Sequence, residues 1–283
     1  MKNILIIPNI TKDTELSVSR AVARVLKDAG AFVFVEKKYS EGLSEVAEVI
    51  DSAGGRIELI VVIGGDGSVI DASVLAIKLD IPVIGVNLGN IGYLAEIETG
   101  ELELLKRITE DDFRIEEKML LTVELEENGG TLVSERLALN DVIISHESYV
   151  GLAELYLTDS HGATVKYRAD GLILSTPVGS TAYSLSAGGP IVSHDIDSIT
   201  ATPICPHSFF NRSVIFNSTE RLCLSNNGKE PLNITVDGRH FAALEAGMRC
   251  YVSTATKKFK MLTLGKNNMF STLFGKMKRF ENI

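Results

Sequence analysis

Several residue types that carry common chemistry are scarce in this sequence. It has no tryptophan, seven prolines and only three cysteines, which are Cys205, Cys223 and Cys250. An odd and widely spaced set of cysteines excludes a disulfide framework and a cysteine-based zinc site, so we expect bystander thiols in a reducing compartment. Because the five histidines also lack metal-ligand spacing, we expect no dedicated metal site and no tightly bound cofactor.

The chain also lacks long apolar runs and an excess of positive charge. No run approaches the roughly 18 apolar residues of a membrane span, and the apolar run at residues 2–7 is too short for a signal sequence. The formal net charge of −9 disfavours binding to nucleic acids or anionic membranes. With 283 residues, 45% of them hydrophobic, we expect about two domains of a soluble cytoplasmic protein.

Three common signatures of nucleotide and acyl chemistry are missing as well. The sequence has no Walker loop, no Gly-x-Gly-x-x-Gly fingerprint and no nucleophile elbow. It has instead Gly64-Gly65-Asp66-Gly67, after an apolar strand pattern at residues 59–63 and before a helix pattern that starts at Ser68. Such a turn lets backbone N–H groups approach a phosphate. Since Asp66 would repel phosphate, it is better explained as a base or a charge-positioning group beside a phosphoryl acceptor; a plain tight turn is the alternative.

The first hundred residues alternate between strand and helix patterns. This alternation predicts a parallel sheet wrapped by helices, with ligands at the carboxyl ends of its strands. The predicted strands lie at residues 3–7, 31–35, 58–63 and 82–86, and the predicted helices at 14–29, 43–53 and 69–79.

The pattern changes near Gly100. A helix is predicted at residues 100–110, and short β-rich runs separated by turn residues then continue to residue 264. We therefore expect an α/β domain at residues 1–100, which carries the glycine turn, and a β-rich domain at 101–264. A helical segment at residues 268–280, within 265–283, is expected to pack back on the first domain. The tail carries Lys266, Lys276, Lys278 and Arg279, which are interpreted as a solvated helix face, with a basic patch for an anionic ligand as the alternative.

Three further stretches favour ligand binding, each with a structural alternative. Gly89 and Gly92 lie in a loop after the fourth predicted strand, where they permit the backbone to approach a ligand closely. The alternative is a structural loop that only connects to the next element. Asn140-Asp141 interrupts an apolar strand at residues 137–144, where unpaired polar groups cost roughly 1–3 kcal/mol. Asn140 could meet an adenine edge and Asp141 a ribose, or the two could be a satisfied structural pair or a bulge.

The densest region is residues 168–190, where a strand is followed by many hydroxyls and glycines. Tyr183 is available for contact with a ring, and Thr181 and Ser186 are available as donors. The alternative is that these hydroxyls cap a helix near Thr181.

In these motifs the chain resembles the NAD kinases, over roughly residues 59–240. The turn alone is shared with 6-phosphofructokinases and diacylglycerol kinases, whereas the Gly-Ser-Thr-Ala-Tyr run is highly specific. The motifs are Gly64-Gly65-Asp66-Gly67, Asn87-x-Gly89-x-x-Gly92-Tyr93-Leu94, Asn140-Asp141, Asp170-Gly171, Gly179-Ser180-Thr181-Ala182-Tyr183, Ser186-Ala187-Gly188-Gly189-Pro190 and Pro203-Ile204-x-Pro206-His207-Ser208.

The resemblance implies a Rossmann-like α/β domain of the phosphofructokinase and diacylglycerol kinase type, joined to an all-β sandwich. It implies transfer of the terminal phosphoryl group of ATP, or polyphosphate, to the 2′-hydroxyl of NAD, with Mg²⁺ carried by ATP. A kinase of a sugar phosphate or lipid, and a non-catalytic NAD sensor, are the alternatives. Family members form dimers and tetramers, so a homodimer or homotetramer is expected.

The resemblance also implies roles for individual residues. Asp66 would accept the proton of the 2′-hydroxyl, Asn140 would hold adenine and Asp141 the ribose. Arg168 and Asp170 would face the nicotinamide end, across a subunit boundary. The phosphate-donor loop would be Gly64, Gly65, Gly67 and Ser68, and the NAD pocket would be lined by Asp66, Gly67, Thr181, Ala182, Tyr183, Ser184, Leu185, Ser186 and Asp237.

Three positions depart from the family pattern. Asp141 replaces the more usual glutamate and is one methylene shorter, Ser213 stands where proline is typical, and Arg239 stands where glutamine is common. The shorter side chain of Asp141 affects the implied contact with the ribose. Arg239 affects the implied NAD contact near Asp237.

Overall fold

The computed structural model describes residues 1–89, 92–127, 130–146, 153–207, 211–228 and 230–265, with residues 269, 271–273 and 275 near the C terminus. The chain divides into two compact units. Unit 1 is Met1–Glu117 with Phe259–Ile283, and unit 2 is Lys118–Lys258. The domain boundaries expected from the sequence, at residues 100 and 264, differ from the unit boundaries and stay a prediction.

Strands account for most of the regular structure. In chain order they are β1 (Asn3–Pro8), β2 (Phe32–Glu36), β3 (Glu48–Ile50), β4 (Leu59–Gly64), β5 (Val83–Asn87), β6 (Ala95–Glu98), β7 (Arg114–Glu127), β8 (Thr131–Ala138), β9 (Asp141–His146), β10 (Ala153–Thr158), β11 (Thr164–Ala169), β12 (Gly171–Ser175), β13 (Ser198–Ile204), β14 (Val214–Asn217), β15 (Arg221–Asn226), β16 (Leu232–Val236), β17 (Arg239–Leu244) and β18 (Arg249–Thr263). The α-helices are α1 (Ser17–Asp28), α2 (Asp66–Leu79), α3 (Lys106–Thr109) and α4 (Tyr183–Ser186), and 3₁₀ segments cover Lys37–Tyr39, Thr99–Leu105 and Gly179–Thr181.

Unit 1 is built on a parallel sheet in the order β3-β2-β1-β4-β5, with β6 also beside β5. The chain runs outward from β1 to β3 and then returns to place β4 on the other side of β1. The direction of strand addition therefore reverses between β1 and β4. In open α/β sheets, ligands bind in the crevice at the carboxyl ends of the strands where this reversal occurs.

The sequence explains helix α1 and the central strand β4 of unit 1. Strand β4 is a continuous apolar run and is buried on both faces, as expected for the middle of a parallel sheet. Helix α1 buries Ser19, Val22, Ala23 and Leu26, a spacing that places one stripe against the sheet. The apolar side chains of the sheet and of α1 form one core cluster.

Asp13 fixes the beginning of α1. Its carboxylate accepts hydrogen bonds from the backbone N–H groups of Val18 and Ser19 at 3.3 and 2.8 Å, and from the Ser19 hydroxyl at 2.7 Å. Burial alone would raise the pKa of Asp13, but these hydrogen bonds outweigh it and hold the pKa below its ordinary value. The ionised side chain thus satisfies N–H groups that the first helical turn leaves without partners.

One of the predicted helices in unit 1 is wrong. The expected helix at residues 43–53 is a run of turns followed by β3, which pairs with β2. The buried residues Leu43, Val46, Ala47 and Ile50 do have helical spacing, but residues 48–50 pair with the edge of β2 instead. The expected helix at 100–110 is confirmed in position, as a 3₁₀ segment over Thr99–Leu105 that continues into α3.

Unit 2 consists of two sheets. One has the order β14-β13-β12-β9-β16-β17 and is antiparallel throughout; the other has the order β11-β10-β15-β18, with β7 beside β18 and β8 beside β7. Their inward-facing apolar side chains form one core cluster. The α/β domain with a parallel sheet and the all-β sandwich are therefore confirmed.

Some expectations concern residues whose structure is not described. Of the expected C-terminal helix at 268–280, residues 269, 271–273 and 275 are helical, and the basic residues Lys266, Lys276, Lys278 and Arg279 lie outside the described part. Among the residues with a described placement, no helix is both long and apolar enough to cross a membrane.

Candidate functional site

The glycine turn joins β4 to α2 at the carboxyl edge of the unit 1 sheet. Strand β4 ends at Gly64 and the helix begins at Asp66, so Asp66 and Gly67 belong to its first turn, earlier than the expected start at Ser68. A Cβ on Gly64 would overlap the Ser68 side chain. Glycine is therefore required at this position by the close approach of the first helical turn to the end of the strand.

The Asp66 carboxylate is held by the loop that follows β5. It accepts hydrogen bonds from the backbone N–H groups of Tyr93 at 2.8 Å, Leu94 at 2.9 Å and Ala95 at 3.4 Å. A Cβ on Gly92 would overlap the carboxylate. Burial, followed by the negative charge of Asp66, raises the pKa of the Tyr93 hydroxyl. The carboxylate is thus fixed in direction by donors that a glycine at position 92 allows to come close.

Asn87 ties the same loop to the sheet. Its side-chain amide donates to the Gly89 carbonyl at 3.4 Å and to Glu98 Oε1 at 3.2 Å, and the Leu88 N–H donates to the Gly64 carbonyl at 2.8 Å. The loops after β4 and β5 are therefore joined directly. Asn90 and Ile91 of the predicted motif lie outside the described residues.

The loop after β1 also reaches the glycine turn. The Asn9 amide donates to Ser68 Oγ at 2.8 Å, and Asn9 Oδ1 accepts from the backbone N–H groups of Thr11 and Lys12 at 3.1 and 3.2 Å. The Lys12 Nζ lies 3.1 Å from the position that a Cβ on Gly65 would take. Three loops from adjacent strands thus meet at this edge of the sheet.

In unit 2, Asn140 and Asp141 lie at a break between two strands. The expected continuous strand is wrong, because β8 ends at Ala138 and β9 begins at Asp141. The Asp237 carboxylate stabilises the chain at this break. It accepts hydrogen bonds from the backbone N–H groups of Leu139, Asn140 and Asp141 at 2.7, 2.7 and 3.1 Å. Asp237 is itself in a left-handed conformation in the turn between β16 and β17.

The side-chain oxygen of Asn140 is buried and has no hydrogen-bond partner among the residues the structure describes. Its backbone is fixed, since its carbonyl accepts the Thr176 N–H at 2.9 Å and a Cβ on Gly179 would overlap that carbonyl. A buried acceptor without a partner costs roughly 1–3 kcal/mol. Such a group is explained if a ligand supplies the missing donor.

Asp141 is buried, and it lies close to the half-buried Asp237. Burial, and then the proximity of Asp237, raises the pKa of Asp141 to about 7. Burial also raises the pKa of Asp237, but its three backbone donors and Arg239 oppose this shift. We therefore assign the negative charge to Asp237 and expect Asp141 to take up a proton as the pH falls through about 7.

The segment after β12 separates inward from outward side chains. Ser180 and Ser184 are both buried. The Ser180 hydroxyl donates to the Pro177 carbonyl at 2.6 Å, and the Ser184 hydroxyl lies 3.0 Å from the Thr202 hydroxyl. Ser184 therefore packs against the sheet, whereas Tyr183 and Leu185 are 45% and 37% exposed. Thr181 does not cap α4, whose N-cap position is Ala182. The predicted ligand-facing residues at the surface of this segment are Thr181, Ala182, Tyr183, Leu185 and Ser186.

Arg168 and Asp170 lie at the surface of unit 2 around the end of β11. Arg168 is exposed and its Nε lies 3.7 Å from Glu154 Oε1 on β10. The Asp170 backbone bridges two strands, since its N–H donates to the Ile204 carbonyl at 3.0 Å and its carbonyl accepts the His146 N–H at 3.3 Å. Both side chains are accessible to a ligand or to another chain.

Asn9 and Lys12 are residues of this edge that reasoning from the sequence missed. They directly follow the first predicted strand, and the carboxyl ends of neighbouring parallel strands meet at one edge, so this position was the available signal. Within the described parts of the chain, no group of three or more His, Cys, Asp or Glu side chains could hold a metal ion.

The parallel sheet of unit 1, with the glycine turn at its carboxyl edge, and the two sheets of unit 2 are the architecture of a two-domain phosphotransferase. The family described as ATP-NAD kinase N-terminal domain matches residues 4–113, and that described as ATP-NAD kinase C-terminal domain matches residues 139–264. The chain is 34% identical to the NAD kinase of Acetivibrio thermocellus over 98% of its own length and 97% of that protein. It is 39% identical to the NAD kinase of Geobacter sulfurreducens over 78% of each chain. The chain belongs to the NAD kinase family.

Solved structures show the same fold. Yeast NADH kinase complexed with NADH has a TM-score of 0.85 at 22% identity, over 96% of this chain and 86% of that one. An NAD kinase from Archaeoglobus fulgidus in complex with ATP has a TM-score of 0.72 at 20% identity, over 97% and 99% of the two chains.

Proposed function

We propose that this chain transfers the terminal phosphoryl group of ATP to the adenosine 2′-hydroxyl of NAD and forms NADP. Membership of the family supports the reaction. The observation that carries the choice of acceptor is the buried Asn140 oxygen that lacks a donor among the described residues. The 6-amino group of adenine is such a donor, and an asparagine amide can pair with the adenine N6/N7 edge in two hydrogen bonds.

Unit 2 holds the NAD in this proposal. Asn140 binds the adenine and Asp141 binds the ribose, and Asp237 keeps both in place through their backbone N–H groups. A protonated Asp141 can donate a hydrogen bond as well as accept one, which suits contact with a hydroxyl. The exposed Tyr183 supplies a ring face, with Thr181, Ala182, Leu185 and Ser186 around it.

Unit 1 supplies the chemical step. The reacting oxygen must lose a proton as the new phosphate bond forms, and Asp66 accepts it late in the reaction. The three backbone donors aim the carboxylate. Two of them donate to Oδ1 and one donates to Oδ2, so a lone pair on Oδ2 remains free to meet the hydroxyl. Phosphoryl transfer depends mainly on positioning and charge neutralisation, and a fixed carboxylate fits that requirement.

The donor enters as ATP with magnesium on its phosphates, and the ion is part of the substrate rather than a resident metal. Residues Gly64, Gly65, Gly67 and Ser68 line the donor loop at the positive end of α2. Polyphosphate presents the same phosphoanhydride chain and is the alternative donor.

The proposal includes a cytoplasmic homodimer or homotetramer in which Arg168 and Asp170 face the nicotinamide end of an NAD bound to a neighbouring subunit. Both side chains are exposed. Light scattering of the purified chain measures the oligomeric state directly.

One assay tests the reaction. The purified chain is incubated with magnesium, NAD and either ATP or polyphosphate, and NADP is measured with an NADP-specific dehydrogenase. We expect NADP to form. Calorimetric binding of NAD without any NADP would identify a sensor instead, and turnover of fructose 6-phosphate or diacylglycerol in place of NAD would identify a different kinase.

A further inference from the structure

The loop after β1 occupies the place where the unit 1 sheet is expected to bind a ligand. Strand β1 lies between β2 and β4, and the reversal of strand order falls between β1 and β4. The crevice at this reversal is flanked by residues 9–13 on one side and by the glycine turn on the other. A cation in the first loop would therefore face a phosphate bound at the second.

Lys12 provides that cation. Its Nζ lies 3.1 Å from the Cβ position of Gly65 and 3.9 Å from that of Gly89. The ammonium group thus lies over two glycines, one in the turn after β4 and one in the loop after β5. A side chain at Gly65 would compete for the space that the ammonium group takes.

The backbone at Lys12 is fixed to the glycine turn. Asn9 accepts the Lys12 N–H through its side-chain oxygen and donates through its amide to Ser68 in the first turn of α2. Lys12 is exposed, and the structure shows no ion pair between its ammonium group and a described residue. Its charge is therefore available to an anion from solution.

The turn needs such a charge, because its own ionisable group is the Asp66 carboxylate, which repels a phosphate. Backbone N–H groups and the helix dipole contribute only partial positive charges. We propose that Lys12 is a donor-binding residue whose ammonium group contacts the phosphate oxygens of the phosphoryl donor. This proposal rests on the proposed function and adds a residue to its donor loop.

The test compares Lys12→Met, Lys12→Arg and the control Lys27→Met. Lys27 is an exposed lysine in the last turn of α1, so its substitution makes the same change of charge in the same unit. We expect Lys12→Met to lower kcat/KM for ATP about tenfold to hundredfold, the scale of a charge-assisted hydrogen bond. The KM for NAD and the melting temperature should stay close to wild type, Lys12→Arg should recover most of the loss, and Lys27→Met should show none.

A binding measurement separates this proposal from the reaction. ATP binding is followed by calorimetry without NAD, with inorganic tripolyphosphate as competitor. Lys12→Met should weaken both ligands by similar factors, even if the wild-type chain were to form no NADP. ATP affinity equal to that of Lys27→Met would overturn the proposal, and so would a loss confined to ATP, since the contact would then be to the nucleoside.

Discussion

At the scale of single residues, the candidate site depends on carboxylates held by backbone N–H groups. Asp66 in unit 1 and Asp237 in unit 2 each accept three such hydrogen bonds from a loop in their own unit. Charge-assisted hydrogen bonds of this kind are roughly twice as strong as neutral ones. Each carboxylate therefore fixes the backbone of a loop as well as its own orientation.

Asp66→Asn should leave calorimetric NAD binding largely intact and lower kcat by about a hundredfold or more, the scale of general-base catalysis. The amide cannot accept the proton. Its NH₂ group would also face a backbone N–H, either that of Tyr93 or that of Leu94, which now meets a carboxylate oxygen. Steady-state kinetics measures the loss, and turnover near wild type would remove Asp66 from its proposed role.

Gly92→Ala should lower kcat about tenfold to hundredfold while Asp66 is retained. The new methyl group would overlap the carboxylate and displace it, and a misplacement of about 1 Å can cost a hundredfold in rate. Gly100→Ala is the matched control, because a Cβ at that position meets nothing within 4 Å. Equal kcat values for the two variants would show that the position of the carboxylate does not limit the reaction.

At the scale of secondary-structure elements, the strands of the central sheet were easier to predict than their surroundings. The apolar run of β4 is long and uninterrupted, so its burial and the glycine turn after it followed from pattern alone. The helix expected at 43–53 failed because the buried residues of this segment have helical spacing although the segment forms turns and then a short edge strand beside β2. The break before Asp141 depends on Asp237, almost a hundred residues away along the chain, and no local pattern contains that information.

Asp13→Ala should destabilise unit 1 by about 1 kcal/mol, the usual cost of a lost helix cap. The pKa of Asp13 is lowered in the folded state, so its contribution is present above the ordinary value of 3.8 and is lost as the pH falls through the lower folded value. Chemical denaturation should show the deficit at pH 7 and a smaller one below about pH 3.8. Asp28→Ala, at the other end of α1, should stay within about 0.5 kcal/mol of wild type, and an equal loss in both variants would contradict the assignment of the cap.

At the scale of the whole molecule, the fold class and the order of the motifs followed from the sequence, and the family is confirmed. The side-chain positions that distinguish a ligand contact from packing did not follow from it. Ser184 and Tyr183 are neighbours in one motif, yet one is buried against Thr202 and the other is 45% exposed. Lys12 was missed because its role depends on which strands lie next to each other.

The Asp141–Asp237 pair should make the stability of the protein depend on pH. The pKa of Asp141 is raised from 3.8 to about 7 in the folded state, so the folded chain binds more protons than the unfolded chain and stability falls as the pH rises through this window. Asp141→Asn removes that titration. The free energy of unfolding of the variant minus that of wild type should therefore increase by more than about 1 kcal/mol as the pH rises from 4 to 7. One pKa unit corresponds to about 1.4 kcal/mol.

Denaturation curves across this pH range measure the difference. The exposed Asp195→Asn is the control and should run parallel to wild type. Parallel curves for Asp141→Asn as well would show that Asp141 titrates normally in the folded chain.

Unit 1 is discontinuous in the sequence, and this has a consequence for its biosynthesis. Met261 at the end of β18 pairs with Val83. The Leu264 N–H donates to the Glu96 carboxylate, and the Leu264 carbonyl accepts from Arg107. Leu262 and Leu264 also belong to the core of this unit. When only residues 1–117 have been synthesised, one edge of the unit 1 sheet is therefore incompletely paired. That edge is completed only after the final part of the chain has emerged from the ribosome.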